Sequence, residues 1–328
     1  MSRRAVSIAI AVRKSTVRPL TNVSNRRRYL LANAFAQSTL TKYIPAVQQF
    51  VAWCLVNGED PVDAAEMDDV LTDYLHHLFE TGGGRAKANN TYYGLISQRP
   101  SLRHGLPASL QCLRGFGKLL PSTSYPPVTW EIAVVIAVQL WRHDCLRSGI
   151  ATLLAFDCLL RIGELLALRK EDIAFPGDHR LPGGYSSVLV RLRKTKTGRN
   201  QSVVVRNVAL RSLLFDLVNV TGDRQLLFPF SPNVFRSRFK LVCRELGLDS
   251  NYVPHSLRHG GATTLHLDGW KVEDILLRGR WESTKAARRY IQAGRAVLMS
   301  VQVPSNIASL ARVFAADLLT SFTLAQSH

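Results

Sequence analysis

The segment PSTSYPPVT at residues 121–129 constrains this chain more than any other, because it holds three prolines in nine residues. Proline fixes φ, lacks a backbone N–H and pushes the residue before it out of the α region. No helix or central strand runs through such a segment, so the chain must be built as two parts joined there. A length of 328 residues lets each part bury its own core. Residues 122–128 are read as the linker.

The part before it, residues 35–121, has a helical period. Leu40, Tyr43, Val47, Phe50, Val51 and Cys54 recur at spacings of three and four, which places them on one helix face. Gly58 is placed to end that helix, and Pro45 must sit in its first turn or bend it. Met67, Val70, Leu71, Tyr74, Leu75 and Leu78 mark a second helix, closed by the glycines at 82–84. Further helices are expected near Asn89–Ser97 and Leu106–Leu119. Four helices in this span make a small bundle, which by itself specifies no ligand.

Charge narrows the choice of partner. Lys and Arg number 42 against 24 acidic residues, a net charge of +18, so a polyanion fits better than a membrane surface. Residues 1–34 carry eight Arg and Lys, including the triplet Arg26, Arg27 and Arg28, and the first acidic residue is Glu59. They read as a flexible basic arm, with an organellar transit peptide as the competing reading. The general basicity of the chain favours the arm. The five cysteines are scattered with no CxxC pair, which fits reduced thiols in an intracellular protein rather than a disulfide framework or a zinc site. No apolar run is long enough for a membrane span.

The second part, residues 129–328, begins with helical patterns around Trp130–Trp141 and Gly149–Leu168. The period then changes. Val188, Val190 and Leu192 alternate with Leu189, Arg191 and Arg193, giving a strand with one basic face. Thr197–Gly198 marks a turn, and Val203–Val205 begins a return strand. Helical patterns resume near Val208 and Asn233–Leu246, and Ile307–Leu319 is an amphipathic tail segment that either covers its own domain or docks on a neighbouring subunit. The expected fold is mainly α with a small β-hairpin or sheet.

The chemistry is concentrated between His255 and Tyr290. Phosphodiester exchange without a metal needs an in-line nucleophile, cations on the non-bridging oxygens and a proton donor for the leaving oxygen. Arginine suits the cationic role, since its planar fork matches a phosphate and stays charged. A tyrosyl ester would conserve the bond energy, so resealing needs no ATP. Each residue alone has a plainer reading: Arg161 and Glu164 as a surface i, i+3 ion pair, KTKTG as a solvated turn, Trp281 and Tyr290 as core. His255, His259 and His266 are close in sequence, but no carboxylate or thiolate cluster at ligand spacing accompanies them.

In order and spacing, these residues resemble the tyrosine recombinase (phage integrase) family. Arg161 in CLLRIGELLALRKEDI resembles the first arginine box, with Glu164 in its usual acidic place. Lys196 in KTKTG matches the hairpin lysine, with Lys194 as fallback, and His255 and Arg258 in PHSLRH fit the second box. Trp281, an accepted substitute for His there, precedes Tyr290 by nine residues. The run GGAT after His259 resembles recombinases of eukaryotic mobile elements. Arg280 stands where the family commonly has Gly, so a different turn is expected.

The resemblance, over about residues 36–295, implies a two-domain clamp closing on double-stranded DNA, with a helical core-binding domain at 35–121 and a catalytic domain at 129–328. It implies site-specific cutting and rejoining through a 3′-phosphotyrosyl intermediate, with no metal or other cofactor. Arg161 and Arg258 would clamp the phosphate, Tyr290 attack, Lys196 protonate the leaving 5′-oxygen, His255 assist proton transfer and Trp281 orient the phosphate. Glu164 would orient its neighbours. A homo-tetramer on paired sites and a DNA-associated location, in nucleus, nucleoid or organelle, are further expectations. The alternatives are a type IB topoisomerase-like enzyme and a non-cutting DNA-binding derivative.

Overall fold

The computed structural model describes residues 34–121, 124–195 and 198–325, which fall into two compact units, 1–123 and 124–328. The expected N-terminal arm lies outside the described residues, apart from its last position.

The first unit is helical. α1 (Gln37–Asn57) ends where Gly58 takes a left-handed φ of 76°, and Pro45 lies inside it, past the first turn. Asp63 caps α2 (Ala64–Glu80) by accepting from the Ala65 and Glu66 N–H groups. α3 (Arg85–Gln98), a 3-10 turn (Pro100–His104) and α4 (Pro107–Leu119) complete it. Val47, Phe50, Leu71, Tyr74, Leu75, Tyr92, Leu113 and Phe116 form one core, so every helix gives its periodic face to the same interior. Gly94 allows α3 to approach α1: a Cβ there would come within 2.7 Å of Val47.

The second unit is built on α5 (Trp130–Arg142) and α6 (Leu146–Asp157), whose apolar faces pack together, with the run Ile132–Val138 of α5 buried throughout. The expected helical run over Gly149–Leu168 is broken. α6 stops at Asp157, Leu159 turns to φ 50°, and a one-turn α7 (Ile162–Leu166) follows. β1 (Ile173–Ala174), β2 (Val188–Lys194) and β3 (Arg199–Val205) form an antiparallel sheet in that order. Val188, Val190 and Leu192 face the core as their alternation requires, and the return strand starts four residues earlier than expected. The basic face is only partly free, because Arg193 pairs with Asp172 at 2.7 Å and with Glu171.

α8 (Val208–Asn219), α9 (Pro232–Glu245), α10 (Pro254–Leu267), α11 (Val272–Gly279), α12 (Thr284–Arg288) and α13 (Ala293–Val301) follow. The tail forms α14 (Ser305–Ala316) and α15 (Leu318–Ala325). Within this single chain it covers its own domain: Ala311, Phe314, Leu318 and Phe322 join the core against α5, with Phe322 4.1 Å from the Trp141 ring. Among the described residues no helix is long and apolar enough to cross a membrane.

Candidate active site

The break after α6 creates the first half of the site. Arg161 is the extended residue at the start of α7 (φ −74°, ψ 149°), and the Glu164 carboxylate folds back onto it. Oε2 accepts from the Arg161 backbone N–H at 3.0 Å and Oε1 from its Nη1 at 2.7 Å. This i, i+3 pair therefore closes a helix start, with Glu164 buried and Arg161 partly open to solvent.

α10 carries the second half. Its glycine pair lets it lie against the backbone of other segments: a Cβ on Gly260 would sit 1.8 Å from the Val128 carbonyl, and one on Gly261 2.3 Å from that of Phe156. That approach drives Arg258 into the interior, where it is fully buried. Its guanidinium donates to the carbonyls of Leu159 and Gly279 and lies 3.8 Å from Glu164 Oε2. Arg258 Nε has no hydrogen-bond partner among the described residues.

The segment after α11 delivers the aromatic groups. Gly279 makes room for the indole of Trp281, whose ring a Cβ at 279 would overlap at 1.8 Å. Arg280 adopts the left-handed conformation (φ 55°, ψ 45°) that glycine favours, so an Arg here is compatible with a left-handed turn. Its side chain turns inward to Glu164 Oε2 at 3.0 Å and the Leu159 carbonyl at 2.8 Å. Thr263 Oγ1 donates to the Tyr290 carbonyl at 3.1 Å and accepts from the Gln292 N–H at 3.0 Å, pinning the chain beyond α12.

These elements converge on the Tyr290 ring. It stacks on His259 (4.6 Å between centroids, 27° between planes), and the Trp281 ring is also 4.6 Å away. His255 stands edge-on at 5.5 Å. The Arg258 guanidinium carbon is 4.6 Å from the Trp281 centroid and 5.3 Å from that of Tyr290. Trp281 Nε1 is a second buried N–H with no partner among the described residues. Gln292 Nε2 bonds both His259 Nδ1 (2.9 Å) and Ser124 Oγ (2.8 Å).

Electrostatics follow from burial. Burial, then the charges of Arg258 and Arg161, push His255 down to about 4. Burial, then His255, push His259 down to about 4. Both rings are therefore neutral at pH 7. Burial would raise the Glu164 carboxyl, but Arg280, the Arg161 N–H and side chain, and Arg258 hold it below the usual carboxylate range. Burial, then Arg161 and Arg280, weaken the hold of Arg258 on its proton, and Glu164 opposes them. An arginine nonetheless stays charged at neutral pH.

Of the residues singled out in the sequence, the structure brings Arg161, His255, Arg258, Trp281 and Tyr290 together. Lys196 lies outside the described residues, and the Lys194 backbone ends β2. Sequence reasoning missed Gln292, raised Arg280 only as a departure at a turn, and raised His259 only as a metal ligand. The signal for His259 was its place directly after Arg258 on the helix. Among the described residues no group of three His, Cys, Asp or Glu side chains is placed to hold a metal. One carboxylate faces three guanidiniums here, beside a tyrosine and two unpartnered N–H donors, so the site is built to take an anion.

Residues 137–296 match the model of the phage integrase family. No curated protein matches the chain in sequence. Among solved structures, the integrase of the Tn1549 transposon in complex with transposon right end DNA is similar at a TM-score of 0.58 and 13% identity, covering 84% of this chain and 96% of that one. A lambda integrase dimer bound to a COC′ core site gives 0.57 at 14% identity, covering 83% and 76%. The XerH site-specific recombinase bound to a palindromic difH substrate gives 0.50 at 16%, covering 70% and 68%. At such identities these likenesses speak to the fold, which is that of these recombinases.

Proposed function

We propose that the chain, whose residues 137–296 match the phage integrase family, is a site-specific recombinase that cuts and rejoins duplex DNA through a 3′-phosphotyrosyl intermediate. Tyr290 Oη attacks the scissile phosphorus, the bond to the 5′-oxygen breaks, and that oxygen leaves with a proton from Lys196. His255, whose ring lies 5.5 Å from that of Tyr290, assists proton transfer. Arg161 and Arg258 neutralise the non-bridging oxygens, and the indole N–H of Trp281 donates to one of them. The reverse step, with a 5′-hydroxyl from a partner strand, restores the diester and frees Tyr290.

The observation that carries this reading is the pair of buried N–H groups without partners among the described residues, Arg258 Nε and Trp281 Nε1, on side chains packed against the Tyr290 ring. Buried donors are normally satisfied, and an anion is the kind of partner these two lack. The net charge of +18 supports a DNA partner, with backbone contacts supplying much of the affinity. In this reading the helical unit adds duplex contacts, the protein works as a tetramer on paired sites, and it resides where its DNA does.

The test uses a nicked suicide duplex containing a site selected from random DNA. The parent chain should form a denaturant-stable adduct in the presence of chelator, and Tyr290→Phe should form none. Binding without an adduct would favour a non-cutting derivative. Relaxation of supercoils without joining of two duplexes would favour a topoisomerase-like enzyme.

A further inference from the structure

Arg280 is the unexpected member of the site. It is a non-glycine residue with a positive φ of 55°, a conformation that costs an L-residue about 1 kcal/mol, and its side chain is almost fully buried. Buried cations are costly unless paired and hydrogen-bonded. Arg280 meets that condition through partners that also belong to the phosphate-binding arginines. Nη2 donates to Glu164 Oε2 at 3.0 Å and to the Leu159 carbonyl at 2.8 Å. The second oxygen of Glu164 holds Arg161 at 2.7 Å, and the Leu159 carbonyl also accepts from Arg258. Nη1 donates to the Arg278 carbonyl at 2.8 Å.

This sharing has two consequences. With Oε2 engaged by Arg280 at 3.0 Å, Arg258 Nη1 stands 3.8 Å from that oxygen, beyond a close ion pair, and donates to the Leu159 carbonyl. Glu164 is also held by a residue adjacent to Trp281, so the carboxylate is tied to both ends of the site. Arg278, two residues earlier, fixes the same stretch to the Asp157 carbonyl at 2.7 Å and the Val204 carbonyl at 2.9 Å. The position of Arg280 is thus set by the fold, not by ligand.

We propose that Arg280 is a positioning residue for strand cleavage: by occupying Glu164 Oε2, it keeps Arg258 from closing onto Glu164 and so leaves the charge of that guanidinium available to the scissile phosphate. This rests on the cleavage reading above. Arg280 does not touch the DNA; it acts through Glu164 on the charge that Arg258 presents. Without it, Arg258 would close the remaining gap to Glu164 and meet the phosphate already neutralised.

The experiment compares the parent chain, Arg280→Gly and Arg280→Lys on two suicide duplexes, one with an ordinary scissile phosphate and one with a methylphosphonate there, which carries no charge. Glycine accepts the left-handed backbone, and lysine keeps a charge but not the two-point contact. On the ordinary phosphate, the single-turnover rate of adduct formation should fall about 10- to 100-fold in Arg280→Gly, the scale of one charge-assisted hydrogen bond, and less in Arg280→Lys. On the methylphosphonate the three proteins should differ by less than about threefold, because there is little charge left for Arg258 to stabilise. Equal losses on both substrates would show a merely structural residue and overturn the proposal, as would parent-like rates in Arg280→Gly on the ordinary phosphate. A parent chain that forms no adduct on either substrate would instead remove the cleavage reading itself. Arg280→Lys keeps the comparison interpretable if the glycine variant unfolds.

Discussion

In the helical unit a buried carboxylate is fully satisfied, whereas in the second unit a buried carboxylate is outnumbered. Asp68 accepts from the Ala108 and Ser109 N–H groups at 2.8 Å each and from the Ser109 hydroxyl at 2.6 Å, at the N-terminus of α4. Its charge is met by helix-end donors and serves to join α2 to α4. Glu164 faces Arg161, Arg258 and Arg280, and two N–H donors nearby remain without partners among the described residues. A satisfied polar cluster is the mark of architecture, and a surplus of oriented donors is the mark of a binding site waiting for an anion.

The contrast can be broken most severely at Arg258. Arg258→Gln should lower adduct formation about 10³-fold in single-turnover assays, the scale of losing an oriented donor at the reacting phosphate, with duplex affinity much less affected. A loss in binding alone would remove the catalytic half of the contrast. Asp68→Leu should act in the opposite way. It leaves two helix-end N–H groups without their acceptor, while the Ser109 hydroxyl keeps the backbone carbonyl of residue 68 at 3.1 Å, costing about 3 kcal/mol of stability in thermal or denaturant unfolding; adduct formation at saturating duplex stays near the parent value.

Acid should separate the two regions next. His255 and His259 are both held at about 4 by burial and positive neighbours, below the ordinary imidazole value of 6.5. Between those values the unfolded chain binds more protons than the folded one, so stability falls as pH drops from about 6.5 towards 4. Glu164, held below the usual carboxylate range, adds a loss only at lower pH. Denaturant midpoints of the second unit should therefore slope upwards over pH 4 to 6.5, and replacing both histidines with Asn should flatten that slope. The smallest effect is expected on the hairpin. Arg191 is exposed and, among the described residues, bonds Asn200 at 3.3 Å, whereas Arg193 is tied to Asp172 and Glu171. Arg191→Ala should reduce the salt dependence of duplex binding by about one phosphate contact, and Arg193→Ala should leave it unchanged.

Much of this was legible in sequence because it rests on local periodicity. The faces built from Val47, Phe50 and Cys54, or from Leu71, Tyr74 and Leu78, pack as their spacing requires. The alternation from Val188 to Leu192 likewise places one face of β2 in the core. The arginine, histidine, tryptophan and tyrosine boxes each supply a side chain to one cluster. Two features were hidden. The run CLLRIGELLAL looks helical throughout, but the chain breaks at Leu159, where Arg258 and Arg280 claim its carbonyl from 99 and 121 residues away. Local propensity carries no information about such partners. Arg280 was legible only as a departure at a turn, because its chemistry depends on Glu164, 116 residues distant.

The most direct test is to digest the covalent adduct formed on a suicide duplex and identify by mass spectrometry the residue that carries the nucleotide. The expected result is a 3′-phosphate ester on Tyr290, the ring enclosed by His259, Trp281 and Arg258. An adduct on Tyr125, whose exposed ring lies 6.0 Å from that of His255, or on any other residue, would contradict it.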